Sequence, residues 1–120
     1  MGQPSPFHSD RSPKVSVVIP SYNHGRFLRR RVDSILNQTY RDFEVILLDD
    51  ASTDSTADVL KEYAGHPLIQ LAIRPTNSGS VFLQWNAGID MARGQYVWIA
   101  ESDDYADVRF LQELVPVLDR

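Results

Sequence analysis

The sequence contains no cysteine. That excludes a disulfide framework, a thiolate metal site and a cysteine nucleophile. No apolar run is long enough to cross a bilayer, and the first residues lack the apolar core of a signal peptide. Basic residues are in the minority: 12 Lys and Arg against 16 Asp and Glu leave a net charge of −4. The chain therefore has no general electrostatic footprint for nucleic acid or an anionic membrane surface. Glycine loops that cradle phosphates are missing too, with no G-x-x-x-x-G-K and no G-x-G-x-x-G after the first apolar run. His8, His24 and His66 have no metal-ligand spacing. Together these absences suit a cytoplasmic domain, or one at the cytoplasmic face of the membrane within a longer protein.

What is present reads as one globular domain. The chain has 120 residues, 42% of them hydrophobic and 23% charged, enough for one real core. Residues 1–13 (MGQPSPFHSDRSP) are rich in Pro, Ser and Gly and are expected to form a disordered leader. The folded part is expected over 14–120. The basic run Arg29-Arg30-Arg31 falls in a helical pattern and reads as a solvated helix face.

Four apolar runs stand out: VSVVIP from Val15, FEVILLDD from Phe43, IQLAIR from Ile69 and QYVWIAE from Gln95. The first, second and fourth are nearly continuous and rich in Val and Ile, as in parallel strands buried on both faces. Helical stripes lie between them. They are Leu28, Val32, Ile35 and Leu36; then Ala57, Leu60 and Ala64; then Phe82, Trp85, Ile89 and Ala92, with Gly94 placed to end the helix. A last stripe follows Phe110, and Pro116 is expected to kink or end it. The order β-α-β-α-β-α-β-α predicts a Rossmann-like parallel sheet with helices on both faces and strand order 3-2-1-4. In such a sheet the crevice lies between strands 1 and 4, outside their carboxyl ends.

Three polar clusters fall at those ends: Pro20-Ser21-Tyr22-Asn23-His24, Asp49-Asp50, and Glu101-Ser102-Asp103-Asp104. Their convergence points to a shared site. Crowded carboxylates repel unless protons, hydrogen bonds or a cation intervene. A hard divalent ion such as Mg²⁺ or Mn²⁺, shared with a diphosphate, resolves the crowding at 101–104. Tyr22 could stack on a base or sugar, or be an ordinary loop tyrosine. Asp50 could accept hydrogen bonds from an imide or ribose hydroxyl, and reads equally as a cap for a helix starting near Ser52.

The run KVSVVIPSYNHGRFLRRRVDSILNQTYRDFEVILLDDASTDST resembles the opening of the family 2 glycosyltransferases, which have the GT-A fold. The later N-S-G-S and W-N-A-G-I-D-M-A-R-G-Q-Y-V-W-I-A-E-S-D-D-Y are similar to that family's stretch leading into its D-x-D motif. The resemblance covers Lys14 to about Asp107. It implies that Pro20, Ser21 and Tyr22 line the nucleotide and that Asp50 hydrogen-bonds its base, usually uracil. It implies that Glu101, Ser102 and Asp103 face a nucleotide-sugar diphosphate. Asp103 matches the acid that holds Mg²⁺ or Mn²⁺, and Glu101 falls where the first Asp usually stands, as an altered partner. The usual A-R-N is Gln84-Trp85-Asn86 here. The implied activity is inverting sugar transfer, of hexosyltransferase type, from a UDP-sugar to a glycan or lipid-linked acceptor in bacterial cell-surface polysaccharide synthesis. The acceptor half and the catalytic base are expected beyond Arg120, so the 120 residues alone are expected to be inactive. Two other readings stay open: a degenerate, non-catalytic module of this fold, and a signalling receiver domain. The second is disfavoured by Arg74-Pro75-Thr76-Asn77, which puts no Asp at the end of strand 3.

Overall fold

A computed structural model of the chain describes residues 12–102 and 106–120. The predicted alternation is observed. Its elements are β1 (Val15–Ser21), α1 (Gly25–Leu36), β2 (Phe43–Asp49), α2 (Thr56–Tyr63), β3 (Ile69–Ile73), α3 (Val81–Met91), β4 (Tyr96–Ile99) and α4 (Phe110–Leu118). The strands form one parallel sheet in the order β3-β2-β1-β4.

Strands β1 and β2 are buried at every position, which explains their continuous apolar runs. Side chains alternate between the two faces of the sheet. Val15, Val17, Ile19, Val45 and Leu47 form the larger core with Leu28, Val32 and Ile35 of α1, Val59 and Leu60 of α2, and Leu111 and Val115 of α4. Val18, Ile46 and Leu48 point the other way, where Met91 of α3 packs over them. Pairing of β1 with β4 stops at Val18 and Ile99, and a last bond runs from Ala100 N to Val18 O at 2.7 Å. β1 continues beside β2 as far as Ser21. The two neighbours therefore part at their carboxyl ends, at the predicted crevice.

The helix stripes differ in detail from the sequence reading. In α2 the buried side is Thr56, Val59, Leu60 and Tyr63, whereas Ala57 and Ala64 are exposed. The larger side chains take the inward face. Tyr63 can be buried because its hydroxyl donates to Asp33 Oδ1 at 2.8 Å.

In α3 the correction is larger. Phe82 is 64% exposed and Ile89 is exposed, while Gln84 and Gly88 face inward. The cause is distance: a Cβ on Gly88 would lie 2.3 Å from Val18 Cγ1. At Gly88 the helix rests so closely on β1 that no side chain fits, and of the predicted stripe Phe82 and Ile89 turn outward while Trp85 and Ala92 stay half-buried. Gly94 does not end α3, whose extended C-cap is Ala92. A Cβ on Gly94 would lie 2.7 Å from Ser16 N, so glycine is needed there for close approach.

Gly94 belongs to a lock at the amino ends of the strands. Its N–H donates to Ser16 Oγ (2.7 Å), which donates to the buried Glu44 (2.5 Å). Arg93 adds its backbone N–H (2.8 Å) and an ion pair to the same carboxylate. Pro116 lies inside α4, in its last turn, and the helix runs on to Leu118. Only one hydrogen bond near the helix end is forfeited there. The basic run is a solvated face only in part. Arg29 is exposed and pairs with Glu62, but Arg31 is 4% exposed with its guanidinium 5.1 Å from the Trp98 ring centre.

Candidate functional site

The site begins where β1 ends. Asn23 adopts φ 54°, a left-handed conformation that asparagine tolerates well. Its Oδ1 accepts from Thr53 N (2.7 Å) and Asp54 N (3.3 Å), and its own N–H donates to Ser52 Oγ (2.9 Å). The loops after β1 and β2 are thereby zipped together. Asp54 continues the seam, accepting from Thr56 N at 2.9 Å and from Gly25 N at 3.2 Å. It caps α2 and anchors the start of α1 at once. These bonds, first that from the Thr56 hydroxyl, lower the Asp54 pKa below the usual carboxylate value.

Asp50 is not a helix cap. The N–H at the start of α2, on Thr56, is taken by Asp54, while Asp49 shapes the loop by accepting from Ser52 N at 3.0 Å. Asp50 is 5% exposed and is reached from the loop after β3. Its Oδ1 accepts from Ser78 N (2.8 Å) and its Oδ2 from Ser78 Oγ (2.7 Å), while Arg74 Nε lies 3.4 Å from Oδ1. Its backbone N–H donates to Ser21 O, and its carbonyl accepts from Asn77 Nδ2, both at 2.9 Å. The next residue, Ala51, stands at φ 62°. A non-glycine residue pays roughly 1–2 kcal/mol for that conformation, which turns the chain from β2 towards α2.

A cleft of ≈ 310 Å³ opens over these strand ends. Of the residues singled out in the sequence, Pro20, Ser21, Tyr22, Asp50 and Glu101 line it. Ser21 is buried, and its Oγ has no hydrogen-bond partner among the described residues. Ser102 lies beneath the lining rather than in it, buried and hydrogen-bonded to His24 Nδ1 at 2.6 Å. Asp103 and Asp104 lie outside the described residues.

Several lining residues were missed in the sequence. Asn77, Gly79 and Ser80 form one wall, with Gly79 at φ 78° and Ser80 capping α3 by accepting from Phe82 N at 3.2 Å. The signal was the N-S-G-S run, which carries a turn and a cap in adjacent positions. Gln84 forms part of the floor and donates from Nε2 to Ser21 O at 3.1 Å. His24, which the sequence placed in the polar cluster after β1 without a role of its own, also lines the cleft.

The segment after the acids is anchored from the loop that follows α1. The buried Gln38 donates from Nε2 to Asp107 O (2.6 Å) and accepts from Leu111 N at Oε1 (3.0 Å). Thr39 N donates to Val108 O at 2.8 Å. Among the described residues no group of three or more His, Cys, Asp or Glu side chains could hold a metal ion. The donors that the sequence gathers at the β4 end, Glu101 and Asp103, are carboxylates, a set suited to a hard cation that completes its shell from a diphosphate.

The open sheet and its strand-end cleft define a Rossmann-like α/β domain of the GT-A type. The model of glycosyl transferase family 2 matches residues 16–120, and the chain belongs to that family. It is similar to the poly(ribitol-phosphate) beta-N-acetylglucosaminyltransferase TarP of Staphylococcus aureus, at 39% identity over 105 residues, covering 84% of this chain and 32% of that protein. It also superposes on S. aureus TarS 1-349 in complex with UDP-GlcNAc, with TM-score 0.81 and 30% identity over 88% of this chain and 31% of that one. The mannosyltransferase PcManGT from Pyrobaculum calidifontis, in complex with GDP-Man and Mn²⁺, matches with TM-score 0.69 and 30% identity. That match covers 85% of this chain and 30% of the other. The chain thus spans about a third of the length of these relatives.

Proposed function

We propose that residues 14–120 are the nucleotide-sugar-binding half of an inverting glycosyltransferase of hexosyltransferase type, with a UDP-sugar as the favoured donor. The observation that carries this reading is the meeting of Pro20, Ser21, Tyr22, Asp50 and Glu101 on one cleft at the parting of β1 and β4. Tyr22 offers a ring at the rim for stacking, and Asp50 is a fixed acceptor at the floor. Relatives described with UDP-GlcNAc and with GDP-Man support the donor class. TarP, a poly(ribitol-phosphate) transferase, supports a bacterial cell-surface glycopolymer as acceptor.

A divalent ion, Mn²⁺ or Mg²⁺, fits the carboxylate set of Glu101 and Asp103, and when bound it offsets charge on the leaving diphosphate. Asp103 is the proposed ligand and Glu101 its altered partner. In this reading the residues of the chain bind and orient the donor, while the acceptor and the base that deprotonates it belong to a segment outside 14–120.

A second reading, a degenerate module of the same fold, is favoured by Trp85. It stands where family members carry Arg, and its buried Nε1 has no hydrogen-bond partner among the described residues. Calorimetric titration of UDP with Mn²⁺ and with a chelator separates the two. Donor binding predicts metal-dependent affinity that Asp103→Ala removes. Absence of binding by any nucleoside diphosphate selects the degenerate module.

A further inference from the structure

His24 bridges the parting of β1 and β4. The last bond between these strands is Ala100 N to Val18 O. Beyond it β1 stays paired with β2 as far as Ser21, and the end of β4 runs on through Glu101 and Ser102. His24, at the N-cap of α1, reaches back across this gap and bonds Ser102 Oγ through Nδ1 at 2.6 Å. The Ser102 residue is 1% exposed, so its hydroxyl has little access to water in place of the ring. Its chain neighbour Glu101 and His24 itself both line the cleft.

We propose that His24 is a positioning residue, a clasp whose Nδ1 fixes the end of β4, and with it Glu101, at the width the donor diphosphate requires. The inference rests on the donor-site reading above and adds to it a residue that acts through Ser102. The physical ground is the asymmetry of buried hydrogen bonds: a hydroxyl left orphaned costs more than the bond itself contributes. Without the ring, Ser102 either stays unsatisfied or swings towards water, and the second course carries Glu101 away from β1. The nucleoside end of the cleft, at Pro20 and Asp50, is built on β1 and β2 and does not depend on the clasp. The diphosphate end does.

The test uses the whole chain and compares affinities for UDP and for uridine by calorimetry, in Mn²⁺. The ratio of the two affinities isolates the diphosphate end. His24→Ala is expected to lower that ratio roughly fivefold, the equivalent of about one net hydrogen bond. His24→Asn places an amide nitrogen near the position of Nδ1 and is expected to restore the ratio. His24→Gln, which mimics Nε2, is not. Circular dichroism melts of each variant show that the fold is retained. If Ala leaves the ratio unchanged, or if Gln restores it and Asn does not, the clasp is overturned while the donor site stands. If the wild type binds neither UDP nor uridine, the donor-site reading fails and takes the clasp with it.

Discussion

Gly88→Ala tests the closest approach made at any described glycine. The added Cβ would lie 2.3 Å from Val18 Cγ1 and 3.1 Å from Leu48 Cδ1. Carbon atoms in good contact stand about 3.5–4 Å apart, so something must move by on the order of 1 Å. Val18 is fully buried on a central strand and has a stiff β-branched side chain, so it cannot give way. The helix must lift. A 2.3 Å overlap lies in the upper part of the overpacking range, at about 2–3 kcal/mol, and the better helix propensity of Ala returns about 1. The net expectation is a loss of about 1–2 kcal/mol. For a domain of this size that corresponds to a fall of roughly 4–8 °C in Tm. Urea denaturation followed by circular dichroism measures it directly. The partner variant Val18→Ala makes room for the new methyl, so the double variant should lose less than the sum of the singles, with a coupling of about 1 kcal/mol. A Gly88→Ala protein as stable as the wild type, or strict additivity with Val18→Ala, would refute the account of why α3 turns Phe82 and Ile89 outward.

Three further outcomes are expected. Gln38→Ala removes a buried amide that serves Asp107 O and Leu111 N, and should cost about 2–3 kcal/mol in urea denaturation, against about 0.5 for a surface change. Asp54 has its pKa held below the unfolded value of 3.8, so its contribution is present above that value and fades as pH falls through the lower folded pKa. Asp54→Asn should therefore flatten the stability profile in that acid window; an unchanged profile would show that the seam does not use the charge. Asp50→Ala should weaken UDP binding about tenfold or more by calorimetry, and CDP should bind the wild type more weakly than UDP by a similar factor. Equal affinity for the two nucleotides would contradict the role of Asp50.

The strand order was legible because buried parallel strands write themselves as unbroken Val and Ile runs, and right-handed crossovers leave few ways to arrange them. The cleft was legible for a related reason: polar residues at the ends of such runs have nowhere else to go. The helix faces were less so. Periodicity marks a bulky stripe but carries no information about helix-to-sheet distance, and in α3 that distance, set by Gly88, turned Phe82 and Ile89 outward and left Trp85 and Ala92 half-buried. The contacts of Ser78, Arg74 and His24 were invisible because each joins segments far apart in sequence, and nothing local distinguishes an exposed loop serine from one that binds a buried carboxylate.

The acids of the D-D-A-S-T-D run show how like residues divide between structure and site. Asp49 and Asp54 spend their oxygens on N–H groups of their own loop and, from Asp54, on Gly25 N at the start of α1, fixing the loop's shape and place. Asp50 is served instead from the loop after β3, by one serine and by an arginine at 3.4 Å. An ionised carboxylate has about four lone-pair sites. Among the described residues Ser78 takes one on each oxygen and Arg74 pairs with Oδ1, which leaves capacity on Oδ2 in a residue that lines the cleft. A buried acceptor held at a fixed angle favours a ligand that brings an N–H or O–H and opposes one that brings a lone pair. An imide N–H meets that demand where a ring nitrogen carrying only a lone pair does not. In the proposed donor site, a preference for a uracil-type base is the expected consequence of the three donors that hold Asp50, because they fix its carboxylate in one orientation at the cleft.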